Sequence, residues 1–218
     1  MNRPTAKDHA LASVKAGLNL IPVVGGAIAS LIGDYVPLST QKAVERTIEL
    51  LSERLNALQG RIDVDAVNKD DFSELFKSCY LVIVRSNREE KLHAAAALLA
   101  NMLLRAGDPD KSSYEELDHL IRCVDTFSVG ALSVLGATRR IAATAGQGAQ
   151  GNFQFGQLRT SFPRFDASLL MSLVSELRAL NLVRVQEGAI RMPDYGEVLL
   201  EPTPIGSRLV ERFIEGKM

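Results

Sequence analysis

The sequence predicts a mainly α fold, a helical bundle followed by a small α+β domain. Three observations predict it. Apolar residues recur at three- and four-residue steps along most of the chain, the spacing that places them on one face of a helix. Strict alternation at period two occurs near the C-terminus, in L-V-R-V-Q-E-G-A-I-R-M at 182–192, the spacing of a half-buried strand. The 218 residues are 46% hydrophobic and 23% charged, a composition that fills a core and argues against disorder.

Residues 1–37 read as an apolar, glycine-rich helical hairpin. Leu11, Val14 and Leu18 share a face of a first helix, and Pro22 opens a second that ends before Pro37. Between Lys15 and Asp34 lie eighteen uncharged residues, the lower edge of what spans a bilayer as a helix. Gly25, Ala29 and Gly33 recur at every fourth position and form a smooth stripe for close helix packing, in a core or in a membrane. Pro22, Asn19 and Ser30 oppose a stable span, and there is no Trp to anchor one. The first reading is a buried hairpin; the second is a segment that enters membrane, permanently or when triggered.

Residues 38–127 read as a helical bundle. From Thr40 to Leu58, the positions Val44, Ile48, Leu51, Leu55 and Leu58 form an apolar seam opposite a charged face. The seam suits packing within the bundle first and a short coiled-coil dimer second. Asp70 or Asp71 is the expected cap of a helix that carries Phe72, Leu75, Phe76, Cys79 and Ile83 on one stripe. A helix rich in alanine and leucine follows from about Arg88 to Arg105, stopped by Gly107 and Pro109. Ser113 and Glu116 then form a capping box ahead of Leu117, Leu120, Ile121 and Val124.

Residues 128–218 open with a helix from about Val129 to Ala143. The run A-G-Q-G-A-Q-G-N-F-Q-F-G-Q at 145–157 reads as a flexible loop. Its G-Q-G-A-Q-G matches a dinucleotide spelling but follows a helix instead of a strand, so no nucleotide cofactor is expected. A helix from about Ala167 to Leu180 turns Leu169, Leu170, Leu173, Leu177 and Leu180 inward. A hairpin about a Glu187–Gly188 turn follows. Thr203 caps a closing helix with Pro204 at its first position and Leu209, Val210 and Phe213 buried. Helix, hairpin and closing helix together make a winged-helix-like domain.

Charge excludes little. With 25 basic and 26 acidic residues, the net charge of -1 exerts no general pull on nucleic acid or anionic lipid. A winged helix that reads DNA lays the helix before its hairpin into the major groove. The outward positions of that helix are Ser168, Ser172, Ser175 and Arg178, with Glu176 on the flank, a nearly neutral face. Arg159, Arg164, Arg184 and Arg191 are the candidate nucleic-acid contacts, too few to carry specific binding alone. His93 stands at no metal-ligand spacing from His9 or His119, so no metal site is expected. Cys79 and Cys123 lie on apolar helix registers and read as buried thiols. The acidic pairs Glu89–Glu90 and Glu115–Glu116 point apart on their helices, and no Ser or Cys has an evident histidine partner. No catalytic residue and no cofactor are therefore assigned. Asp8 and the absence of a clean cleavage pattern leave a cytoplasmic location as the default.

The run N-L-I-P-V-V-G-G-A-I-A-S-L-I-G-D-Y-V-P, the amphipathic helix after it, and the closing L-R-A-L-N-L-V-R and L-E-P-T-P-I-G-S-R-L-V-E-R-F-I carry a resemblance. Through these patterns the chain resembles the abortive infection alpha family of bacterial proteins over nearly its full length. The glycine and glutamine run at 145–157 is not matched. The resemblance implies phage defence by halting or killing the infected cell and supplies no catalytic residues. The resulting expectation is a non-enzymatic protein that acts through a protein partner or a second copy of itself. Membrane perturbation by the Gly25, Ala29, Gly33 stripe accompanies it when the protein is triggered. The alternative expectation is a winged-helix DNA-binding transcriptional regulator.

Overall fold

The computed structural model describes residues 41–58, 60–63, 67–86, 88–144, 151–186 and 195–215. The expected hairpin at 1–37, with Gly25, Ala29 and Gly33, lies outside the described residues, as do Arg191 and the expected Glu187–Gly188 turn. The chain divides into two units, Met1–Asp125 and Thr126–Met218.

The first unit is helical: α1 (Gln41–Ala57), α2 (Lys69–Arg85), α3 (Glu89–Met102) and α4 (Tyr114–Thr126). Both α1 and α2 pack on α3. The sequence of α3 explains this placement, because Leu92, the run Ala94 to Ala100 and Met102 are buried around most of its circumference. A helix apolar on nearly every side has to sit inside, and alanine side chains let neighbouring helices come close.

Packing on α3 also sets the face that α1 buries. Ala43, Thr47, Leu50, Leu51 and Leu58 are buried, whereas Ile48 and Leu55 of the expected seam are only half-buried. The small Ala43 and Thr47 draw the contact toward their own side. The Thr47 hydroxyl is satisfied within the helix, donating to the Ala43 carbonyl at 2.8 Å.

The α2 cap is also corrected, from Asp70 or Asp71 to Asn68. Its side-chain oxygen accepts from the Asp70 and Asp71 N–H groups at 3.0 and 3.4 Å. The two aspartates occupy the first turn, where negative charge complements the helix dipole. Ser113 Oγ accepts from Glu116 N at 3.2 Å at the start of α4. Arg85 pairs with Asp125 at 2.7 Å, and the nearly buried Lys91 donates to the Asp125 carbonyl at 2.9 Å. Two cations thus meet the C-terminal end of α4.

The chain leaving α3 is held by side chains. Buried Asn101 donates to the Asp110 carbonyl at 2.8 Å and accepts from Ser112 N at 2.9 Å. Gly107, at φ +83°, supplies the left-handed turn between these anchors. Arg61 grips Asp108 through two hydrogen bonds, at 2.9 and 2.6 Å, and Asp110 through one at 2.6 Å. The Arg61 guanidinium, assisted by the Asp110 N–H, holds the Asp108 carboxyl down at about 2, below its ordinary 3.8. A carboxyl depressed in the folded state stabilises it above pH 3.8, and that contribution disappears as pH falls through about 2. Wild-type stability is therefore expected to fall more steeply than that of Asp108→Asn between these two values. Urea unfolding at pH 5 and at pH 2, with equal slopes for both proteins as the contrary result, checks it.

The second unit runs α5 (Val129–Thr144), β1 (Phe153–Gln154), α6 (Phe155–Ser161), α7 (Ala167–Ala179), β2 (Val183–Gln186), β3 (Leu199–Pro202) and α8 (Pro204–Arg208). A short 3₁₀ turn, Tyr195–Glu197, precedes β3, and a π-helical segment, Leu209–Ile214, follows α8. The sheet is antiparallel in the order β1-β3-β2. Helix, strand, two helices and two strands in that pairing make a winged-helix-like domain.

Two sequence expectations change here. Among the described residues the partner of β2 is Leu199–Pro202, with Val183 opposite Pro202 and Gln186 opposite Leu199. The alternation at 182–192 marks β2 correctly but cannot identify its partner, because pairing is non-local. Of the expected flexible loop at 145–157, residues 145–150 lie outside the described residues, and the remainder forms β1 and the start of α6. Phe153 and Phe155 are buried on either side of Gln154, and Phe155 N donates to Val198 O at 2.8 Å. Those two aromatics outweigh the glycines around them.

Candidate functional site

The surface that a winged helix offers to a partner is built around α7. Its position follows from contacts at both ends and along one side. Asp166 caps it, accepting from Leu169 N at 2.7 Å. Before the cap, Phe162 and Phe165 stack with ring centroids 5.4 Å apart, which fixes the turn from α6 into α7. At the far end, Asn181 adopts φ 56° while its N–H donates to the Arg178 carbonyl and Leu182 N–H to the Leu177 carbonyl. This is the left-handed closure that satisfies last-turn carbonyls. Along its length, Glu176 accepts from the N–H and hydroxyl of Ser128 at 2.7 and 3.1 Å, tying α7 to the residue that precedes α5.

Leu170, Leu173, Val174 and Leu177 are the buried side of α7. The exposed side carries Ser168, Ser172, Ser175 and Arg178, as the sequence predicted. Leu169 does not turn inward: it is 46% exposed and edges the serine face. Its place is taken by Val174, which closes the buried arc on the other side. A helical projection carries the signal for this exchange, since Leu169 stands about a quarter turn from the centre of that arc.

No charge lies on α7 between Asp166 and Glu176. The Ser172 and Ser175 hydroxyls donate to the carbonyls of Ser168 and Met171 at 3.0 and 2.9 Å. Their protons are therefore engaged within the helix. The face that remains is small, nearly neutral and apolar at one edge, with Arg178 toward its C-terminal end.

The candidate nucleic-acid contacts are not all equivalent. Arg159 is exposed on the last turn of α6, and Arg164 is exposed in the turn leading to α7. Arg184 faces Glu201 across the sheet, 3.8 Å away, so a carboxylate competes with any phosphate there. Arg191 lies outside the described residues.

Beneath this surface the closing segment locks the sheet. Thr203 Oγ1 accepts from Gly206 N at 3.1 Å and lies 2.8 and 3.1 Å from the carbonyls of Asn181 and Leu182. Arg139 of α5 pairs with Glu211 and Glu215 of the last segment. These contacts are structural and assign no reacting group.

Burial raises both cysteine thiols, that of Cys123 to about 11 and that of Cys79 further, and Cys123 Sγ lies 3.6 Å from His119 Nε2. Among the described residues, no group of three His, Cys, Asp or Glu side chains could hold a metal ion. No helix among them is long and apolar enough to cross a membrane. No family model, curated protein or solved structure matches the chain.

Proposed function

We propose that the chain is a non-enzymatic bacterial phage-defence protein of the abortive infection type, acting through contacts with a protein partner or a second copy of itself. The neutral face of α7 carries this reading. Major-groove recognition calls for Arg, Lys, Asn or Gln aimed at base edges, whereas Ser168, Ser172 and Ser175 beside the exposed Leu169 offer a small surface with an apolar edge. Such a surface suits a protein partner better than a polyanion. The setting in phage defence rests on the resemblance of the glycine-rich N-terminal run and the closing segment. Residues Gly25, Ala29 and Gly33 would supply the membrane-perturbing step in a protein otherwise held in the cytoplasm.

The test is a plaque assay on cells expressing the protein. Wild type is expected to reduce plaque number or slow growth of infected cells, and Leu169→Glu to lose the effect while keeping its circular dichroism spectrum. Protection by Leu169→Glu equal to wild type would remove α7 from the interaction, and no effect of the wild type would remove the defence role. Fractionation of infected and uninfected cells tests the membrane step, which is dropped if the protein never leaves the cytosolic fraction.

The second reading is a DNA-binding regulator, favoured by the winged-helix-like topology together with exposed Arg159 and Arg164. It expects a salt-sensitive shift of duplex DNA that Arg159→Ala with Arg164→Ala abolishes. Unshifted DNA at low salt excludes it.

A further inference from the structure

No further inference is drawn: the strongest candidate beyond the α7 face, the half-buried apolar flank of α1 formed by Ile48 and Leu55, carries nothing because nothing in the structure shows what covers it.

Discussion

Gly206→Ala is expected to destabilise the C-terminal unit by about 3 kcal/mol, the upper part of the usual range for overpacking a tight interior. A Cβ at this position would stand 2.2 Å from the Leu182 carbonyl oxygen and 3.0 Å from its carbon. Those are backbone atoms at the start of β2, and the same carbonyl accepts the Thr203 N–H at 2.9 Å, so neither side can yield cheaply. The closing helix therefore rests backbone on backbone against the sheet, which only glycine permits. Gly136→Ala provides the contrast. Its Cβ would meet only the end of the Arg140 side chain, at 3.4 Å. In mid-helix the change should stabilise by about 0.5–1 kcal/mol. Thermal unfolding followed by circular dichroism compares the two, and a neutral Gly206→Ala would show that α8 is not seated on Leu182.

Leu98→Ala should cost the N-terminal unit about 3 kcal/mol, the sum of lost transfer energy and the cavity left behind. Leu98 is fully buried on α3, the helix against which both α1 and α2 pack. The residues one turn before it on α3, Ala94 and Ala95, have no side chain to extend into the space. Leu81→Ala on α2 removes the same atoms from a position 46% exposed, and should cost no more than about 1 kcal/mol. Urea unfolding of the two variants measures the difference. Equal losses would mean that α3 is not the centre of this unit.

The candidate site was partly legible beforehand. Spacing alone places Ser168, Ser172, Ser175 and Arg178 outward, since a helix long enough to show its period reveals both of its faces. The leucine pattern alone places Leu169 inward, whereas its helical angle puts it at the edge of the serine face. Arg184 is a candidate contact by sequence, and its pairing with Glu201 comes only with the structure. The opposing Glu201 is seventeen residues away in sequence and adjacent only through the β2–β3 register.

The sequence by itself determined helices α1 to α5 and α7, most of their ends, and the Thr203–Pro204 start of the closing helix. These depend on residues within a few positions of one another: apolar spacing, caps, and glycine or proline stops. That α3 is the internal helix of its unit came only with the structure. The tertiary structure decided which strand pairs with β2, the strand and helix hidden in the glycine and glutamine run, and the face that α1 buries. It also decided that Gly206 must be glycine. Each of these depends on groups distant in the chain, whose contact free energy outweighs the local preference that a sequence displays.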